Sequence, residues 1–362
     1  MRVCLVCVEL FAWGKYGGFG RATRMLGGEL VKHGIEVFAV VPLRSGQGPE
    51  EDLDGITVLG FPQFRPWESL RLYRKCNADI YHSQEASLGS YLAMHAIPDK
   101  KHLITFRDHK LLGDWLVELR YPSRGRLHTL LAWIYERNHL VRRAIRRADR
   151  LAVSAPHLAD RLMRHYHLQR EPLLLPTPVI VPQQRPNKSS DPTVCFLARW
   201  DRRKRPERFL SLAKDFPGVR FIAIGSGQDS RWDASLRLRY GRLPNLELVG
   251  FINQFDTQTL PGLLDQSWIL VNTSIREGLP TSFLEAMAYR CALLSRVDPD
   301  NVATRFGYHV EDDDFAAGLV HLLEGDTWKD KGEAGYEYVR DRFELGNVME
   351  KHLEAYRDLL RG

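Results

Sequence analysis

The chain opens on a strand, loop, helix and strand pattern that leaves few folds open to it. "RVCLVCVEL" (residues 2–10) is an apolar run of strand length, and "WGKYGGFGR" (13–21) follows it as a glycine-rich loop. Met25, Leu26, Leu30 and Val31 then recur at helical spacing, the helix stops at Gly34, and "IEVFAVV" (35–41) supplies a second strand. Two consecutive strands joined through a helix run parallel, and a parallel sheet must be covered on both faces. Further short apolar segments at "DIYHS" (79–83), "HLITFRD" (102–108) and "RLAVSA" (150–155) extend the same α/β pattern.

The pattern breaks near residues 172–192, where "EPLLLPTPVIVPQQRPNKSSDP" is dense in proline and polar residues, as a linker would be. A second α/β series then begins with "TVCFLARW" (193–200) and runs through "VRFIAIGSG" (219–227), "LELVG" (246–250), "WILVNTS" (268–274), a helix from Thr281, and "CALLSR" (291–296). With 362 residues, 44% hydrophobic and 27% charged, the chain suits two domains of about 150–200 residues. Two Rossmann-like domains facing a central cleft is the economical architecture, with ligands expected at the carboxyl ends of the strands.

Cysteine and charge bound the setting. Of the five cysteines, Cys4, Cys7, Cys195 and Cys291 sit in apolar runs, with Cys76 outside them. Cys4 and Cys7 imitate a redox C-x-x-C, but residues three apart in a strand face opposite sides, so buried thiols are expected. Reduced thiols, a start without signal-peptide character and no apolar run near the roughly 20 residues of a membrane span lead to the expectation of a cytoplasmic protein. Lys and Arg outnumber Asp and Glu by 51 to 45, which favours an anionic partner without naming one.

Three stretches can carry chemistry. "GGFGRAT" (17–23) lies between strand and helix, where backbone amides can hold a phosphate or let a substrate approach closely. As a dinucleotide fingerprint it fails, with Thr23 where a third glycine belongs, and a plain turn that needs glycine is the alternative. "ARWDRRKRPE" (198–207) places Arg199 at a strand end and Lys204 just before Pro206, a first helical position. Two cations there could neutralise a diphosphate; taken alone a run this basic is more often a solvated face, and its position at a strand's carboxyl end is what tilts the reading to the diphosphate. In "TSIREGLPTSFLEAMA" (273–288), Ser282 with Glu285 fits a capping box, which would explain Glu285 structurally, whereas Glu277 has no such explanation. The Gly278-Leu279-Pro280-Thr281 segment between them opens a helix suited to an anion, and flanking carboxylates suit sugar hydroxyls. Carboxylates for hydroxyls and amides for phosphates together match a nucleotide sugar.

"EGLPTSFLEAMA" (277–288) resembles the E-x7-E segment of retaining GT-B glycosyltransferases of the large family that includes sucrose synthases and bacterial mannosyl- and glucosyltransferases. "GGFGRAT", the Arg199 and Lys204 spacing, "AIGSG" (223–227, with Gly225) and "LVGF" (248–251) agree with it in order along nearly the whole chain. The resemblance implies an N-terminal acceptor-binding domain over 1–180, a C-terminal nucleotide-sugar-binding domain over 181–342 and a closing helix at 343–362 that crosses back to the first domain. It implies that Glu285 holds the donor ribose, that Glu277 contacts the transferred sugar and that Arg199 and Lys204 stabilise the leaving diphosphate. Gly17, Gly18, Gly225, Gly278, Leu279, Pro280 and Thr281 are then the donor-binding positions. The donor would be a UDP- or GDP-sugar, the acceptor a glycan, lipid-linked or small-molecule hydroxyl, with no tightly bound cofactor and no essential metal. Transfer would retain anomeric configuration, the leaving phosphate helping to deprotonate the acceptor.

The chain departs from the family in its first half. Where many relatives carry a histidine after the "LITFRDH" strand, this chain has Arg107, with Asp108 and His109 next; Asp108 and His109 are the candidates there. A second common histidine position is Gln84, while His82 reads as a strand residue. "EDDD" (311–314) reads as acids that begin a helix, not as a metal motif. The segment 126–150, "RLHTLLAWIYERNHLVRRAIRRADR", reads preferentially as an amphipathic helix packed on the first domain with a solvated basic face; an interfacial helix on anionic lipid is the other reading, giving peripheral association with the cytoplasmic membrane face. A nucleotide-sugar epimerase or hydrolase on the same fold is the enzymatic alternative. A non-catalytic nucleic-acid module is disfavoured, because paired glutamates would repel a phosphate backbone and aromatic interleaving is sparse.

Overall fold

The computed structural model describes residues 1–122 and 125–362. The chain divides into two compact units: Met1–His109 with Leu130–Pro178 and Leu345–Gly362, and Lys110–Thr129 with Val179–Glu344. In chain order the first half contributes β1 (Arg2–Val6), α1 (Gly18–Lys32), β2 (Glu36–Pro42), β3 (Glu50–Leu53), β4 (Ile56–Phe61), α2 (Ser69–Cys76), β5 (Ile80–Ser83) and α3 (Leu88–Ala96). It continues with β6 (Lys101–Phe106), α4 (Leu112–Arg120), α5 (Arg126–Glu136), α6 (His139–Arg147), β7 (Arg150–Val153), α7 (Pro156–Tyr166) and β8 (Leu173–Leu174).

The sheet of the first unit has the order β3-β4-β2-β1-β5-β6-β7-β8, parallel throughout except for the β3–β4 hairpin. From β1 the chain moves outward through β2 and β4, then returns to β5 on the other side of β1. The carboxyl ends of β1 and β5 are therefore the switch point of this sheet. Both faces are covered: Cys7 packs with Leu5, Leu26 and Leu30, and Cys4 with Val6, Tyr73 and Cys76 on the opposite side. The C-x-x-C spacing thus separates its two thiols, and all five cysteines are free and buried. Burial pushes the Cys7 thiol up to about 12, which leaves it un-ionised and unreactive at neutral pH.

The second half supplies β9 (Thr193–Leu197), α8 (Pro206–Asp215), β10 (Arg220–Ile224), α9 (Ser230–Tyr240), β11 (Leu246–Gly250), α10 (Thr259–Gln266), β12 (Ile269–Asn272) and α11 (Thr281–Ala288). It ends with β13 (Ala292–Ser295), α12 (Val302–Phe306), β14 (Gly307–His309), α13 (Phe315–Leu323), α14 (Thr327–Phe343) and α15 (Leu345–Arg361). Its sheet, β11-β10-β9-β12-β13-β14, is parallel throughout. Alternation along β9 sends Val194 and Phe196 to one apolar layer with Phe209 and Phe221, and Cys195 to the other with Phe283 and Met287. The switch point here lies between β9 and β12.

Helix α15 belongs to the first unit. Its Met349, Ala355, Tyr356 and Leu359 join Val3, Leu5, Ile80 and Ala152 in one buried cluster. A polar chain runs through that contact: Tyr356 Oη lies 2.7 Å from His82 Nδ1, and His82 Nε2 lies 2.7 Å from Thr105 Oγ1. His352, its Nδ1 2.9 Å from the Val348 carbonyl, is buried beside them. Burial holds His82 well below the ordinary histidine value, and His352 down to about 4. Both rings are neutral in the fold and take up protons only on unfolding. Stability from this pair is therefore complete above about 6.5 and is lost as pH falls from there toward about 4. Glu85, pushed up to about 7 by burial, works in the opposite sense over part of that range. The comparison with a variant isolates the histidines: thermal unfolding of His352→Leu should show a shallower fall in midpoint between neutral pH and about pH 5 than the parent chain. Parallel curves would refute the assignment. Tyr356→Phe, which strips a hydrogen bond from buried His82, should cost about 1–2 kcal/mol.

Candidate active site

In the second unit the site begins where β9 ends. Gly225, at the end of β10, has φ +131°, and a Cβ there would collide with the Ala198 carbonyl oxygen, so only glycine lets the two strand ends close up. Trp200 N then donates to Ser226 O (3.0 Å), which fixes the chain on either side of Arg199 and Asp201. Asp201 shapes the next turn: its Oδ1 accepts from the amides of Arg203 and Lys204, both at 3.1 Å, and its Oδ2 accepts from Arg199 (3.1 Å). Burial opposes ionisation of Asp201, but the charges of Arg203, Arg199 and Lys204 outweigh it and hold the carboxyl below its usual range.

The same turn is tied to the end of β12. Thr273 Oγ1 donates to the carbonyl oxygens of Lys204 (2.7 Å) and Arg205 (2.9 Å), and Arg205 Nε donates to Thr273 O (2.7 Å). Ile275 N donates to Arg203 O at 3.0 Å. These bonds bring the ammonium of Lys204 onto Glu277 as an ion pair, with side chains only 17% and 12% exposed. Arg205, at φ +49° just before α8, clasps Asp313 through both terminal nitrogens at 2.6 and 2.8 Å. Most of the basic run is therefore not a solvated face: Arg199, Arg203, Lys204 and Arg205 each have a carboxylate partner and are largely buried, while Arg202 is exposed.

The capping-box reading of Ser282 and Glu285 fails. Helix α11 begins at Thr281 with Pro280 at the N-cap and no capping side chain, which places Ser282 inside the first turn. Pro280 sets an extended φ/ψ at the boundary, and Gly278 and Leu279 precede it, so the leading amides of α11 are not spent on a local cap. Glu285 sits one turn into the helix, and its side chain takes no part in a cap. Asp314 does what was expected of it, accepting from Ala317 N at 3.0 Å to cap α13.

Residues invisible to the motif reading complete this unit. Arg276, buried, pairs with Asp114 (2.8 Å), and Glu118 of α4 is shared by Arg203 and Arg276. Helix α4 is thus bound to the loops that carry Lys204 and Glu277. No spacing signal links residues 114–118 to 203 or 276; only burial of each ion with its partner reveals them.

The first unit gathers its own polar residues at the β1/β5 switch point. Gly20 N donates to Glu9 Oε1 (2.9 Å), with Lys15 3.3 Å from the same carboxylate. A Cβ on Gly17 would sit 2.6 Å from that oxygen, and one on Gly20 2.7 Å from Phe11 N. Glu9 therefore holds the N-terminus of α1, in the place the sequence reading gave to a phosphate at Gly17 and Gly18. After β5, Glu85 accepts the amides of Arg107 (2.9 Å) and Asp108 (3.2 Å), and Arg107 donates to Gln84 and, at 3.4 Å, to Thr177. His109 turns into an aromatic cluster with Phe106, His165 and Tyr166. Burial, reinforced by His165, Arg161 and Arg137, pushes it down to about 3, so it is neutral at physiological pH. Among the described residues no group of three or more His, Cys, Asp or Glu side chains is placed to hold a metal ion.

Two units, each on a mainly parallel sheet with polar side chains at the carboxyl ends beside its switch point, are the hallmark of the GT-B glycosyltransferase fold. Solved structures share it: sucrose-phosphate synthase from Thermosynechococcus elongatus superposes with a TM-score of 0.78 over 99% of each chain at 18% identity. Anabaena HepE, solved with UDP and glucose, gives 0.71 over 99% of this chain and 100% of its own at 12% identity. A glycosyltransferase from Rickettsia africae gives 0.68 over 100% and 99% at 15% identity. No curated protein sequence matches the chain. Residues 16–179 match the profile described as Glycosyltransferase Family 4 and residues 180–303 that described as Glycosyl transferases group 1. The chain belongs to this glycosyltransferase family, and it is a glycosyltransferase.

Glu118 carries the first test of the site. Removing it leaves Arg203 and Arg276 with less than their full complement of negative charge in a largely buried setting. Glu118→Ala should lower the thermal midpoint by roughly 5–10 °C, against a degree or so for an exposed acid such as Glu36→Ala. Equal small shifts would mean that α4 is not held by these charges.

Proposed function

We propose that the protein transfers a sugar from a nucleoside-diphosphate sugar to an acceptor hydroxyl with retention of anomeric configuration. The observation that carries this reading is the meeting of Arg199, Lys204 and Glu277 at adjacent strand ends of one sheet, with Glu285 on the helix that follows Glu277. UDP is the nucleotide proposed, supported by HepE and by the pneumococcal O-GlcNAc transferase GtfA, whose structures contain UDP.

In this reading the Lys204–Glu277 pair opens on donor binding. Lys204 and Arg199 move to the diphosphate, and Glu277 takes hydroxyls of the transferred sugar. Glu285 holds the ribose, and the Gly278–Thr281 segment and Gly225 form the walls against the phosphates. In the transfer the bond from C1 to the β-phosphate oxygen breaks, the bond from C1 to the acceptor oxygen forms on the same face, and the acceptor proton passes to the departing diphosphate. Charge accumulates on that diphosphate, so two fixed cations lower the barrier most. On the acceptor side Asp108 is assigned and His109 is not, because the His109 ring is committed to its aromatic cluster. Gly17 and Gly20 serve by admitting Glu9, and Gly18 is proposed to leave the loop surface close to backbone.

Lys204→Ala should lower kcat by about 10²–10³-fold, measured well below its thermal midpoint, since its loss removes charge stabilisation of the leaving group; the midpoint itself should fall by several degrees, because Glu277 is left largely buried without its cation. Full activity in that variant would sink the role. In calorimetry with UDP, GDP, ADP and TDP, UDP should bind and Glu285→Ala should weaken it by at least about tenfold; absence of binding by any of the four would end the donor assignment. Turnover undiminished in EDTA and a product anomer identical to the donor's, read by NMR, are expected.

A further inference from the structure

The segment 126–150 is not one amphipathic helix packed on its neighbours. It breaks at Asn138, whose side chain caps α6 by accepting from Val141 N at 3.0 Å. Helix α6 behaves conventionally, with Val141, Ala144 and Ile145 buried and its arginines outside. Helix α5 does the reverse. Leu127, Leu130, Leu131 and Ile134 recur at i, i+3, i+4 and i+7, and they are 72%, 40%, 52% and 64% exposed. The side it buries carries Thr129, and the Tyr135 phenol lies against Ser87 and Gly89. A contiguous aliphatic stripe facing water is costly for a soluble chain and marks a surface meant to be covered.

The geometry points to an anionic lipid surface as the cover. On α6, Arg142, Arg143, Arg146 and Arg147 are all exposed. Between Arg126 and Arg147 the sequence holds six arginines against one acid, Glu136. Helix α6 begins three residues after α5 ends, and a second copy paired through these two helices would bring like arginine clusters together, which opposes an isologous contact. A nucleic-acid backbone would satisfy the arginines but offers no apolar phase for the leucines. A bilayer interface with acidic headgroups satisfies both: α5, 11 residues long, lies in the interfacial plane with its aliphatic face sunk roughly 5–10 Å, and the arginines of α6 meet phosphates. Among the described residues no helix is long and apolar enough to cross a membrane, so this is a surface contact. Such docking would bring the first unit to an acceptor carried on a lipid.

Co-sedimentation of the intact protein with vesicles of phosphatidylcholine alone, and of phosphatidylcholine mixed with phosphatidylglycerol, tests this. Binding is expected only to the anionic vesicles, weakening as salt rises. The surface variants Leu130→Ser/Leu131→Ser/Ile134→Ser and Arg142→Ser/Arg143→Ser/Arg146→Ser/Arg147→Ser should each reduce the partition coefficient by more than about tenfold. Their thermal midpoints should stay within a few degrees of the parent's, since all seven side chains are exposed. No binding to either vesicle, or equal binding by parent and variants, overturns the proposal. So does a dimer in light scattering that the aliphatic variant abolishes, which would assign the stripe to a second copy. None of these outcomes depends on which nucleotide the protein binds, so failure here leaves the donor reading intact.

Discussion

The parallel contact between β9 and β12, in register at Val194–Ile269 and Cys195–Leu270, is what the candidate site depends on. The chain leaves β9 toward one edge of its sheet and returns to β12 on the other side, so the loops after these two strands open at the same place. Lys204 and Glu277 meet because of that pairing. Thr273 then fixes the approach through its bonds to Lys204 and Arg205, and Asp201 fixes the turn that presents the lysine. If β12 shifted against β9, the carboxylates and cations would be left buried without partners, at a cost far above that of any single surface contact.

The first unit follows the same logic with different chemistry. Its switch point gathers Glu9, Gln84, Glu85, Arg107 and Asp108, and two of these, Arg107 and Asp108, are held by Glu85, which accepts their backbone amides. Glu9 in the crook of the glycine loop shows why Gly17 and Gly20 occur there: the carboxylate, and at Gly20 the backbone of Phe11, would crowd a Cβ. The same unit is closed by α15, held by apolar contact and by the Tyr356–His82–Thr105 chain. A histidine at the centre of a strand is tolerated because both its ring nitrogens are satisfied and it stays neutral.

Several cations that enter the second unit have a carboxylate within reach: Arg203 and Arg276 share Glu118, Arg205 has Asp313, and Lys204 has Glu277. Others use neutral acceptors, Lys188 the carbonyls of Leu264 and Ser267, and Arg107 the side chains of Gln84 and Thr177. On α6 the arginines stay in water. Helix α5 departs from the usual burial of apolar side chains by placing four exposed aliphatic residues along one face, whereas exposed Phe64, Trp67 and Leu238 lie elsewhere in the chain.

The sequence by itself determined the alternation of strands and helices, the two α/β halves, the break in pattern near residues 172–192 and the separation of Cys4 from Cys7. All of these follow from local periodicity and from the two-residue repeat of a strand. It also offered Arg199, Lys204 and Glu277 as candidates, because loops at strand ends carry chemistry in a parallel sheet, and Glu285 through the family resemblance. It misjudged Ser282, since one residue of shift in the helix start turns a cap into a first-turn residue. It set aside a solvated face for the basic run on strand position alone, without showing the carboxylate partners, and it misread the 126–150 segment as one helix, because a charge pattern does not say whether a partner arrives from elsewhere. Glu118 beneath Arg203 and Arg276, Glu9 in the glycine loop, Glu85 under Arg107 and Asp108, and the outward face of α5 were decided by tertiary structure alone. Each rests on which distant segments pack together and on the free energy of burying or exposing a charge or an apolar side chain there, which no local spacing encodes.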